Sequence, residues 1–143
     1  MSEERIATSA PSANREYPAD QENCIIKDRS PSEARDLIRC RGGTQADKIS
    51  PDQRPLVILD VRTPLECSAG RIEGSIILDF HSPSFQEQVI KLDPEKAYLV
   101  YCRTGRRSYP AIGLMRKLGF KELYNLTGGL VGWQSEGFVV VKG

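Results

Sequence analysis

Residues 98–110 read YLVYCRTGRRSYP. Tyr98 to Tyr101 form a short apolar run without polar alternation, the pattern of a strand covered on both faces. A cysteine, a glycine and three arginines then fall within residues 102–107. The run YPAIGLMRKLGF that follows has helical spacing, with Pro110 in its first turn and Gly119 as its stop. Strand, short loop and helix in that order make one unit of a parallel α/β sheet.

The same grammar recurs on either side. CII (24–26), LVILDV (56–61), SIILDF (75–80) and ELYNL (122–126) read as further strands. SPSEARDLIRC (30–40) opens with Ser30 as N-cap, Pro31 at the first helical position and Glu33 closing a capping box, and it ends at Gly42 and Gly43. TPLECSAG (63–70) repeats the device with Thr63, Pro64 and Glu66, and Gly70 stops it. SFQEQVIKL (84–92) is a helix with Phe85, Val89 and Leu92 on one face. GGLVGWQSEG (128–137) is a turn leading into a short helix, and residues 44–55 are a polar loop. Strands separated by helices imply right-handed parallel crossovers, hence a single α/β domain with a mostly parallel sheet and helices on both faces.

Residues 1–22 carry two arginines against five acids and little to bury, so an acidic, disordered and dispensable tail is expected before a domain over 23–143. The 143 residues suffice for one core, and 39% hydrophobic with 27% charged residues is an ordinary globular balance. A net charge of +1 gives no global drive towards nucleic acid or an anionic membrane, and no apolar run is long enough to span one. Cysteines 24, 40, 67 and 102 include no C-x-x-C pair, and His81 is the lone histidine, so neither a metal nor a cofactor is called for. Four separate thiols and no secretory signal point to a cytoplasmic setting. Cys24 and Cys40 are read as chemically idle.

Chemistry is expected where the strands end, since ligands of open parallel sheets gather at their carboxyl edge. Two segments meet there. LVILDVR leaves its strand at Asp60 and carries Arg62; LVYCRTGRRS leaves its strand at Cys102. Gly105 permits a turn that points successive amides inward as an anion-binding nest. The next helix adds its positive end, and Arg103, Arg106 and Arg107 add full charges. Cations and amides around one sulfur favour thiolate over thiol, so Cys102 is the expected nucleophile.

The segments LDVRTPLECSAGRIEGSI, YLVYCRTGRRS and LGFKELYNLTGGLVGW resemble, in order and spacing, the single-domain rhodanese (thiosulfate sulfurtransferase) family from about Cys24 to Val141. The resemblance implies that Cys102 carries sulfane sulfur as a persulfide. It implies that Arg103, Thr104, Gly105, Arg106, Arg107 and Ser108 form the substrate cradle, flanked by Asp60 and Arg62. It implies a small-molecule sulfur donor such as thiosulfate, and as acceptor cyanide or a thiol, a protein thiol included. The chain departs from the family at Arg71, where a histidine is usual, at Cys67, commonly aromatic, and at Tyr109 and Pro110. Cys67 reads as a small core residue, with a resolving thiol as the competing reading. Trp133 and Tyr124 read as core and His81 as exposed.

Two other functions stand beside this one. Related folds use a cysteine loop for phosphatase or arsenate-reductase chemistry, but they place arginine six positions after the cysteine, where this chain has Ser108. A regulatory module or sulfur carrier on the same scaffold is the other; the presence of Cys102 argues against a purely regulatory role.

Overall fold

The computed structural model describes residues 24–42 and 49–142. The tail expected over 1–22 and the start of the polar loop lie outside them. Ten elements alternate among the described residues: β1 (Ile25–Arg29), α1 (Pro31–Arg41), β2 (Leu56–Asp60), α2 (Pro64–Ala69), β3 (Ile76–Ile77), α3 (Phe85–Ile90), β4 (Ala97–Tyr101), α4 (Ser108–Lys117), β5 (Glu122–Leu126) and α5 (Gly129–Ser135). All strand pairs are parallel, in the order β1-β5-β4-β2-β3.

Both capping boxes form. Ser30 Oγ accepts from the Glu33 amide at 3.2 Å while the Glu33 carboxylate accepts from the Ser30 amide at 2.9 Å. Thr63 and Glu66 do the same at 3.2 and 3.0 Å. These reciprocal bonds satisfy amides that a helix start leaves without partners.

The strands are buried on two sides, and successive side chains part accordingly. On one face Leu59, Val61, Tyr98, Val100 and Leu123 pack against α3 and α4 through Phe85, Val89, Ile112 and Met115. On the other face Leu56, Ile58, Leu99, Tyr101, Tyr124 and Leu126 pack against α1 and α5 through Ala34, Leu130 and Trp133. Every residue of β4 and β5 is buried; β4 is apolar throughout, as burial on two faces requires, whereas β5 buries the polar Glu122 and Asn125 as well.

Two strands differ from the sequence reading. β1 runs past CII to Arg29, because its edge position lets Lys27 and Arg29 pair in register with Tyr124 and Leu126 while their heads stay near solvent. β3 is only two residues of SIILDF; past Ile77 the Leu78 amide still donates to the Asp60 carbonyl at 2.9 Å and the Phe80 amide to the Val61 carbonyl at 3.2 Å, but the partner strand ends at Asp60 and turns into α2. Asp79 then caps the turn by accepting from the His81 amide at 2.9 Å.

From β2 the chain passes outward to β3, whereas from β4 it passes the other way to β5. The adjacent strands β2 and β4 therefore straddle the point where the winding reverses, the place where such sheets open a crevice. Asp60 and Tyr101 are register partners, so Val61 and Cys102 leave the sheet side by side.

Candidate active site

Cys102 is 1% exposed and sits directly after β4. Its Sγ accepts from the Gly105 amide at 3.0 Å and from the Arg107 amide at 3.4 Å. Gly105 has φ +119°, a value that side-chain-bearing residues avoid, and this turns the loop back over the sulfur. Arg107 is the N-cap of α4 and makes no side-chain cap; its own amide is turned to the sulfur. A helix start without an acidic residue thus faces one sulfur atom, and a negative charge there is favoured.

The loop is held from behind by α5. Leu130 donates its amide to the Cys102 carbonyl at 2.9 Å, and Val131 donates to the Arg103 carbonyl at 3.1 Å. With these two carbonyls drawn outward, the following amides face the sulfur. The close approach depends on Gly129, at φ +60°, where an added Cβ would lie 2.4 Å from the Arg103 carbonyl oxygen.

Burial works against the Cys102 thiolate, but the amides of Arg107, Ser108, Gly105 and Thr104 outweigh it and lower the thiol's pKa. This changes the part expected of the arginines. Arg103, Thr104 and Arg106 are exposed. Arg107 is turned into a bidentate pair with Glu66, Nη1 to Oε1 at 2.7 Å and Nη2 to Oε2 at 2.9 Å. The nest, more than the guanidinium heads, makes the sulfur acidic. Hydrogen bonds from Arg107, opposed by burial and aided by Thr63, hold the Glu66 carboxyl down at about 2.

Ser108 is fully buried, with its hydroxyl donating to Asn125 Oδ1 at 2.7 Å and within 3.2 Å of the Gly105 carbonyl. Its oxygen lies 3.9 Å from the Cys102 sulfur. Asn125 in turn donates to Asp28 Oδ1 at 3.2 Å, and Tyr109 donates to the same oxygen at 3.0 Å. This chain ties β1, β5 and the start of α4 together beneath the loop.

Asp60 and Arg62 form a buried pair beside the sulfur's strand. Arg62 Nη2 donates to Asp60 Oδ2 at 2.7 Å and to the Gly70 carbonyl at 2.7 Å, and Nε donates to Asp60 Oδ1 at 3.0 Å. Its guanidinium is engaged within the fold, bracing the end of α2 against β2. Cys67 on α2 is 1% exposed; burial, then the charge of Asp60, pushes its thiol up to about 12 against the pull of Arg62. That environment suits the core reading and keeps Cys67 from acting as a thiolate. Trp133 and Tyr124 are buried and His81 is exposed, as read from the sequence.

Glu66, Asn125, Asp28 and Gly129 were absent from the sequence-based site. Glu66 was legible only as a capping residue, and the double glycine before α5 only as a turn. Nothing local marks Asn125 or Asp28, whose partners lie 17 and 97 residues away.

The family model of the rhodanese-like domain matches residues 44–136. A sulfurtransferase of Allochromatium vinosum is 31% identical over 90 residues, which are 63% of this chain and 82% of that protein. The thiosulfate sulfurtransferase GlpE of Ectopseudomonas mendocina is 32% identical over 94 residues, covering 62% of this chain and 84% of that protein. In other relatives the matched stretch is a smaller part of a longer chain, 21% and 28% of the whole in two of them. Among solved structures, a rhodanese-related protein of Thermoplasma volcanium superposes with a TM-score of 0.64 at 26% identity, covering 80% of this chain and 97% of that one. With the family model covering residues 44–136 and the fold shared with a rhodanese-related structure, the chain belongs to the rhodanese-like domain family, whose members similar to it include sulfurtransferases.

Proposed function

We propose that this protein is a sulfurtransferase in which Cys102 accepts sulfane sulfur from a small donor, thiosulfate or a persulfide, and passes it to cyanide or a thiol. The observation that carries the reading is the convergence of the Gly105 and Arg107 amides on a buried sulfur at the start of α4. Thiolate is the reactive form of cysteine, and fixed amides stabilise it without reorganising during the reaction.

With thiosulfate, the Cys102 thiolate attacks the outer sulfur. The S–S bond of the donor breaks and sulfite departs with its electron pair, leaving a Cys102 persulfide. Cyanide then attacks the outer sulfur of that persulfide, thiocyanate departs, and the thiolate returns to the nest. The sulfur is a covalent nucleophile in the first step and a leaving group in the second, and one low pKa serves both. Delivery to a protein thiol follows the same second step.

The phosphatase or arsenate-reductase reading lacks its arginine. The position six residues after Cys102 is Ser108, buried against Asn125, and Arg107 is paired with Glu66. Among the described residues no helix is long and apolar enough to cross a membrane, and a small soluble donor fits that setting.

The test is to incubate the protein with thiosulfate, remove the donor and record the intact mass. A gain of one sulfur atom, mapped to Cys102 and released by cyanide as thiocyanate, is the expected result. No sulfur gain from thiosulfate or from an alkyl persulfide overturns the reading.

A further inference from the structure

The pair between Glu66 and Arg107 has no structural need to be where it is. The capping box of α2 asks of Glu66 only that Oε1 accept from Thr63, which it does at 3.0 Å from the amide and 3.1 Å from the hydroxyl. The second carboxylate oxygen is turned to Arg107 alone. The two side chains keep 18% and 30% of their surface exposed, so they stand at the mouth of the site and not in the core. Glu66, against burial, raises the pKa of the Arg107 guanidinium, and Arg107 is close enough to Cys102 for that sulfur to act in the same direction.

The consequence concerns charge at the donor site. The nest supplies amides, which suit one negative charge. A dianion with a sulfonate group needs at least one further cation near the sulfur. Arg103 and Arg106 are exposed. Arg107 is the loop cation tied to the sulfur, and both of its terminal nitrogens are bound to Glu66. A sulfonate entering there must displace a bidentate carboxylate, and it meets that carboxylate's own charge as it does so.

We propose that Glu66 is a specificity-determining residue which, by holding the Arg107 guanidinium and presenting its own charge, turns the site away from dianionic sulfonate donors and towards persulfides of thiols. This rests on the sulfur-transfer reading above and narrows its donor. With such a donor the Cys102 thiolate attacks the outer sulfur of R–S–SH. The S–S bond breaks, R–S⁻ leaves with the electron pair, and the proton stays with the new Cys102 persulfide. In the protonated form that reacts, this donor carries no charge to oppose Glu66. Glu66 acts through Arg107, so it is a positioning residue and its signature is a change in donor ratio.

The experiment compares thiosulfate with the persulfide of 2-mercaptoethanol as donors, cyanide as acceptor, in the wild type, Glu66→Gln and Thr63→Ala. Glu66→Gln keeps an oxygen for the Thr63 cap and removes the charge. It is expected to lower KM for thiosulfate about tenfold, the weight of one charge-assisted contact, with kcat and the persulfide constants within about twofold. Thr63→Ala loosens α2 but leaves the pair, and its donor ratio stays that of the wild type. A Glu66→Gln variant that keeps the wild-type donor ratio overturns the proposal, as does a Thr63→Ala variant that shifts the ratio equally. If neither donor loads wild-type Cys102, the sulfur-transfer reading itself falls and takes this one with it; loading by both donors with an unmoved ratio removes only the role of Glu66.

Discussion

Cys102→Ser abolishes sulfur transfer to cyanide from thiosulfate and from an alkyl persulfide alike, and leaves the fold standing. A serine oxygen still accepts from the Gly105 and Arg107 amides that now meet the sulfur at 3.0 and 3.4 Å, so the loop and the start of α4 keep their partners. The change in unfolding free energy is expected to stay below about 1 kcal/mol. What is lost is chemical: a serine hydroxyl is not ionised near neutral pH and forms no persulfide. The check is a thiocyanate assay beside a denaturant titration. Transfer by the serine variant above the uncatalysed rate would contradict the assignment of Cys102.

Gly129→Ala damages the site from outside it. A Cβ there lies 2.4 and 2.5 Å from the Arg103 carbonyl oxygen and carbon and 2.6 Å from the Cys102 carbonyl oxygen, all of them backbone atoms that cannot swing aside. The φ of +60° adds a conformational cost for any residue but glycine. Relief requires α5 and the cysteine loop to separate, which breaks the bonds from Leu130 and Val131 and lets the amides drift from the sulfur. A fall of about 10²-fold in kcat is expected, the usual weight of one preorganised donor at a charged centre, with stability lower by about 1–3 kcal/mol. Gly113→Ala serves as the control, since nothing lies within 4 Å of its added Cβ. Wild-type kcat in Gly129→Ala would show that α5 does not hold the loop.

The contrast between these residues shows what was legible in the chain. The order of strands and helices, both capping boxes and the cysteine loop are local patterns, set by residues within a few positions of one another. The fold follows from them, and so does the proposed nucleophile. The sequence shows how many charges stand near Cys102 but not what each side chain meets in the fold. Arg103 and Arg106 are exposed, and Arg107 pairs with a glutamate 41 residues earlier. The same limit hid Asn125 and Asp28, which meet only because β1 lies in register against β5. Asp60 and Arg62 were found at the right edge of the sheet, but their pairing with each other and with Gly70 is a matter of packing.

The most direct measurement is the pH dependence of Cys102 alkylation by iodoacetamide, followed by mass in the wild type, in the Arg103→Ala/Arg106→Ala double variant and in Gly129→Ala. Because the amides of the loop outweigh burial and lower the thiol's pKa, the rate should reach its plateau at lower pH than free cysteine does. The double variant should keep that midpoint, since both side chains are exposed, and Gly129→Ala should move it upward as the amides withdraw. A wild-type midpoint at or above that of free cysteine, or one restored to the free value by removing the two exposed arginines alone, would contradict a thiolate made by the backbone.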